Sequence, residues 1–109
     1  MEREFVVATV AQVPAGCMKR VEVEGRALVV FNDEGALFAS DDVCPHRGAP
    51  LSAGDFSEGV VMCPLHAWEF DVTTGECLSL PDARCLVRHE VRVEDGFVKV
   101  LIRKTDLQG

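Results

Sequence analysis

"VCPHRGAPLSAG", residues 43–54, places a cysteine, a histidine, an arginine, two glycines and two prolines within twelve positions. Proline lacks a backbone donor and glycine weakens a helix, so the stretch reads as a loop. A thiol and an imidazole are the side chains that best hold soft and borderline metals. Nineteen residues after Cys44 the chain supplies a second pair in "CPLHAWEFD", where Cys63 precedes His66 by three positions. The pattern is therefore C-x-H, sixteen residues, then C-x2-H. Pro45 and Pro64 stiffen the two loops, so less entropy is lost when a metal binds. Two sulfur and two nitrogen ligands fit either a tetrahedral zinc or an iron–sulfur centre, and the ligand count leaves both open. Zinc ribbons open with C-x2-C and not C-x-H. Chance pairing is a poor account, because two of the three histidines fall into such units.

Outside this region the pattern is β. "EFVVATV", "RVEVEG", "ALVVF" and "ALFAS" are short, rich in Val and Phe, and separated by turn signals at Glu24-Gly25 and at "NDEG". "HEVRV" and "FVKVLI" flank Asp95-Gly96, a strong hairpin signal. Alternation puts His89, Val91 and Val93 on one strand face. Only the stretch at residues 14–20 leaves room for a short helix. Residues 41–85 are loop-rich, with short strands expected at "VVM" and "WEF". A strand framework interrupted by such a segment is a scaffold carrying a site. The expectation is one domain over residues 1–109, with a metal-binding part at about 41–85 and strand scaffold at 1–40 and 86–109.

The composition excludes several classes. The chain has 109 residues, 48% hydrophobic and 27% charged, enough for a core and unlike a disordered segment. No run of eighteen apolar residues offers a membrane span. The start lacks the basic leader and long apolar run of a signal peptide, so a cytoplasmic location is expected. A net charge of −7 argues against nucleic acid, whose phosphates require clustered Lys and Arg. Residues 41–85 hold eight acidic residues against Arg47 and Arg84, which leaves that segment at −6. Such a run reads either as a solvated surface or as a docking face for a basic partner. Five cysteines, an odd number without an export signal, point to metal or plain thiols and not to a disulfide framework.

The doubled motif resembles that of the Rieske [2Fe–2S] family: Cys44-Pro-His46-Arg-Gly48-Ala-Pro50-Leu, then Cys63-Pro-Leu-His66-Ala-Trp68-Glu-Phe70-Asp71. The resemblance implies an all-β fold, a Rieske-like antiparallel sandwich or incomplete barrel with a loop-rich cluster-binding subdomain. It also implies one [2Fe–2S] cluster, with Cys44 and Cys63 on one iron and His46 and His66 on the other. Two departures stand out. Many relatives have Gly where this chain has Ala67, and alanine adopts positive φ less cheaply. Respiratory-complex members carry a disulfide beside the cluster at positions that are Ala49 and Leu65 here.

Other residues carry double readings. Gly48 either lets an N–H approach a cluster sulfur or simply makes a turn. Trp68 and Phe70 are expected beneath the loops, and Pro81 either in a third covering loop or in a connector. Cys17, Cys77 and Cys85 are expected to be inert thiols, and His89 a satisfied histidine and not a ligand.

An iron–sulfur centre on a small domain suggests one-electron transfer without catalysis. Related ring-hydroxylating oxygenases add an iron bound by two His and a carboxylate, and here only His89 is left over. No G-x-G-x-x-G follows a strand, so hydride from a nicotinamide is not expected. The resemblance implies a monomeric ferredoxin passing electrons from a flavin-containing reductase to a terminal oxygenase. The alternatives are a small subunit docked on the large subunit of a nitrite reductase, and a structural zinc module. High-potential members of the family use a Ser two residues after the second His and a nearby Tyr. This chain has Trp68 at that position and no Tyr, so a potential near the low end, roughly −150 mV, is expected.

Overall fold

The computed structural model describes residues 2–45, 48–65, 67–80 and 83–103. The strands are β1 (Glu2–Thr9), β2 (Met18–Val23), β3 (Arg26–Asp33), β4 (Ala36–Asp41), β5 (Asp55–Ser57), β6 (Val60–Met62), β7 (Glu69–Asp71), β8 (Arg88–Glu94) and β9 (Phe97–Arg103). They form a six-stranded antiparallel sheet in the order β1-β9-β8-β4-β3-β2 and a three-stranded one in the order β5-β6-β7. The larger sheet curls until its edge strands approach, and Arg3 on β1 donates to Glu24 beyond β2 at 3.3 Å. No ladder joins those two edges among the described residues, so the barrel stays incomplete.

Turn chemistry explains the hairpins. Glu24-Gly25, Glu34-Gly35, Glu58-Gly59 and Asp95-Gly96 all have both residues at positive φ. That geometry matches the twist of paired strands and needs glycine at its second position. The first, second and fourth turns follow the sequence expectation, whereas Glu58-Gly59 makes an unexpected hairpin between β5 and β6. The helix allowed for at residues 14–20 does not form. A turn closed by Cys17 N–H to the Pro14 carbonyl leads straight into β2.

Two cores share β3. Leu28 and Val30 point into the curl of the large sheet with Val21, Val23, Val98, Val100 and Ile102. Val29 and Phe31 point the other way, onto Leu51, Val61, Phe70 and Val72 of the 41–85 segment. The Phe31 and Phe56 rings meet at 5.1 Å between centroids. The small sheet thus lies across the outer face of β3, and Cys44 and Cys63 join the same core.

β4 pairs with β8 only through Ala39 and Ser40, and side chains complete the junction. Arg26 holds both oxygens of Asp41, at 2.9 and 2.7 Å, and His89 Nε2 bonds one of them at 2.9 Å. His89 is therefore satisfied inside the fold, as expected, with its side chain 1% exposed. Val91 is half-buried, but Val93 on the same strand face is exposed near the hairpin tip. Burial alone would raise the Asp41 carboxyl, but hydrogen bonds from His89 and Arg26, aided by their charge, hold it below the usual carboxylate range. Because the folded value is depressed, this stabilisation is present above the unfolded value of about 4 and is lost as pH falls through the folded value. Asp41→Asn is expected to cost about 1.5–3 kcal/mol at neutral pH, the range for bonds to a charged group. The gap between variant and parent should start to narrow below about pH 4 and close only below the depressed folded value. Urea unfolding of both proteins at the two pH values tests this, and a gap that persists in acid would show that charge is not the cause.

Candidate metal centre

Two loops present the expected thiols, and they are built alike. In the first, the Cys44 amide donates to the Ala49 carbonyl and the Gly48 amide to the Cys44 carbonyl, both at 2.7 Å. In the second, the Cys63 amide donates to the Trp68 carbonyl at 2.7 Å. Each cysteine thus bonds the carbonyl five residues on. The residue before that carbonyl is left-handed in both loops, Gly48 at φ 75° and Ala67 at φ 54°. Gly48 is therefore a turn glycine whose N–H closes its own loop. Ala67 adopts the left-handed conformation that glycine reaches at least cost.

Both thiols are shut away from water, with Cys44 0% and Cys63 1% exposed, and they belong to the same apolar cluster. Pro45 is half-buried, while Leu65 and Ala67 are exposed, so the second loop runs from a dry base to the surface. His46, His66 and Pro81 lie outside the described residues. Among the described residues no group of three His, Cys, Asp or Glu side chains is arranged for a metal. The two cysteines are the described half of the expected set. Two buried thiols in one apolar cluster of the fold fit the thiolate side of an iron–sulfur cluster, since a coordinated thiol gives up its proton outright.

The rest of the segment sorts into supports and surface. Phe70 is fully buried and Trp68 half-buried against the second core, both as expected beneath the loops. Gly54 is needed for close approach, because a Cβ there would run into the Met62 carbonyl and sit 3.2 Å from Pro64 Cδ, at the base of the Cys63 loop. Nothing in the local sequence marked it beyond a loop glycine. Cys77 is buried in the second core, while Cys17 and Cys85 are exposed free thiols.

The acidic run is only partly a free surface. Asp41 and Asp42 are consumed by internal pairs. The Thr73 hydroxyl, bonded at 2.6 Å, holds Asp71 below the usual carboxylate range against a smaller opposing effect of burial, with the Thr73 and Thr74 amides and the Arg88 charge adding to it. Asp55, Glu58, Glu69 and Glu76 are exposed.

The Rieske [2Fe–2S] domain family matches residues 3–99. The chain belongs to that family. A ferredoxin component of the naphthalene 1,2-dioxygenase system of Pseudomonas aeruginosa is 35% identical over 89 residues, covering 82% of this chain and 86% of that protein. The ferredoxin of Sphingomonas yanoikuyae B1 superposes with a TM-score of 0.85 at 30% identity, over 93% of this chain and all of that one. A chain in a complex of reduced oxygenase and oxidised ferredoxin, from carbazole 1,9a-dioxygenase, matches with a TM-score of 0.83 at 33% identity, over 89% and 91% of the two chains. The cofactor is one Rieske-type [2Fe–2S] cluster, which sets aside the zinc alternative.

Alanine in the left-handed region costs about 1 kcal/mol relative to glycine. Ala67→Gly is therefore expected to raise the melting temperature without changing the visible spectrum of the Rieske protein. Gly54→Ala is expected to lower it, because backbone must move. Thermal unfolding of the two variants beside the parent checks both signs.

Proposed function

We propose that this Rieske protein is a ferredoxin that carries single electrons from a flavin-containing reductase to a terminal oxygenase. It is an electron-transfer protein and not itself the catalyst. The observation that carries the reading is the pair of buried thiols in one apolar core, each in a loop closed from its cysteine amide to the carbonyl five residues on. The cluster, when bound, supplies one-electron redox chemistry. The chain's own residues do the rest. Cys44 and Cys63 hold one iron and His46 and His66 the other, while Leu51, Val61 and Phe70 keep water from the thiols. The whole chain, 1–109, acts as one domain, with the cluster held by about 41–85 and supported by 1–40 and 86–109. We read it as a diffusing, monomeric carrier in the cytoplasm; no helix among the described residues is long and apolar enough to cross a membrane.

The exposed carboxylates Asp55, Glu58, Glu69 and Glu76 lie within this segment and disfavour an added electron. They also offer a face for a basic surface on either redox partner.

Three measurements test the reading. His46→Ala and His66→Ala should each leave the strand scaffold folded but abolish or cripple the visible spectrum. A normal spectrum and redox activity in either would overturn the ligand assignment. Voltammetry at neutral pH should place the midpoint well below zero, near the low end of roughly −150 to +300 mV for Rieske centres. A midpoint above about +100 mV, inside the same range, would overturn the carrier assignment. Reduction by the cognate reductase should slow as salt rises past about 0.15 M, where the Debye length is about 8 Å. A flat salt response would show that the acidic face does no steering.

A further inference from the structure

The two cluster loops share a turn geometry but differ at their stems. Loop 63–68 is flanked by a strand ladder, with Met62 facing Glu69. Among the described residues no strand pairing flanks loop 44–49. β4 ends at Asp41, and the chain returns through the 3₁₀ turn Leu51–Ala53. Asp42 and Ser52 stand where a ladder would be. Asp42 Oδ1 accepts the Ser52 amide at 2.8 Å, and its Oδ2 accepts the Ser52 hydroxyl at 2.5 Å. Arg20 on β2 donates to the same Oδ2 at 2.8 Å, and the Asp42 amide bonds the Ala27 carbonyl at 3.0 Å. One residue thereby ties β2, the start of β3 and both ends of the loop.

The Asp42 side chain is 0% exposed, whereas that of Arg20 is 48% exposed. A carboxylate is buried only at a cost in desolvation, which is tolerated when charge and hydrogen bonds compensate it. Among the described residues the compensation comes from Arg20 and Ser52. Asp42 is also two residues from Cys44, within about 7 Å along the backbone. A fixed negative charge so near a redox centre opposes the arrival of an electron.

We propose that Asp42 is a positioning and tuning residue of the cluster. With Ser52 it locks the stem of the Cys44 loop, and its buried charge, offset by Arg20, sets the reduction potential. This rests on reading Cys44 as a cluster ligand. A structural support alone would affect stability; a charged clamp also moves the potential, in opposite senses at its two ends. Asp42→Asn removes the negative charge and leaves Arg20, so the midpoint should rise. Arg20→Gln leaves the carboxylate uncompensated, so the midpoint should fall, by less because the guanidinium is half in water. Ser52→Ala keeps both charges but frees the stem, and should shorten the lifetime of the bound cluster about tenfold, the scale of one bond to a charged group.

The test is voltammetry of the holoprotein variants, with decay of visible absorption under chelator as the lifetime readout. Opposite shifts in Asp42→Asn and Arg20→Gln, with faster decay in Ser52→Ala, are expected. Potentials that stay put or move the same way, or a Ser52→Ala cluster as durable as the parent's, would overturn the assignment. If Asp42→Asn does not fold, a fall in potential for Arg20→Gln and the decay rate of Ser52→Ala still decide it. His46→Ala measured alongside separates the two claims, because a normal spectrum there overturns the ligand reading instead.

Discussion

Strand β3 has no face left for water. Leu28 and Val30 enter the curl of the large sheet, and Val29 and Phe31 enter the core beneath the cluster loops. Side chains of this kind contribute about 1.5–3 kcal/mol each when fully buried. A half-barrel without the 41–85 segment would expose Val29 and Phe31, and the segment without the barrel would have nothing to rest on. The cluster-bearing loops are thus a layer of the fold and not an appendage to it. Their position relative to the strands is set by packing against one rigid surface.

Where the chain leaves the sheet, two consecutive carboxylates pin it from opposite sides. Strand alternation sends Asp41 toward Arg26 and His89 and Asp42 toward Arg20 and Ser52. The first pair joins β3, β4 and β8 where the β4–β8 ladder is only two residues long. The second joins the scaffold to the first cluster loop. Acidity at this point is architectural, and the exposed carboxylates of the segment begin farther along, at Asp55, Glu58, Glu69 and Glu76.

Much of this was legible in the chain because it is written locally. The Cys/His spacing, the acidic-Gly turns and the alternating Val runs each lie within a few residues, and all report on structure at the same place. "ALVVF" reads as a strand, but its unbroken apolar run does not say which two layers it will separate. The short β5 is not marked in the sequence, because in "DFS" only Phe56 favours a strand. Only pairing with Val60–Met62 makes it a strand. Gly54 and Asp42 were missed for a different reason. The close approach of Gly54 to Met62 and the bonds of Asp42 to Arg20 and Ser52 exist only after distant segments have docked. The cost expected at Ala67 is visible in its φ, and the loop keeps its closing hydrogen bond all the same.

The burial of the two thiols also bears on how the holoprotein is made. A sulfur that a water molecule cannot touch is equally closed to any assembly factor delivering iron and sulfide. The first core, built from β1–β4, β8 and β9, has its own apolar interior and does not include Cys44 or Cys63. Access to the two sulfurs therefore requires the second apolar layer to open, and the first core need not open with it.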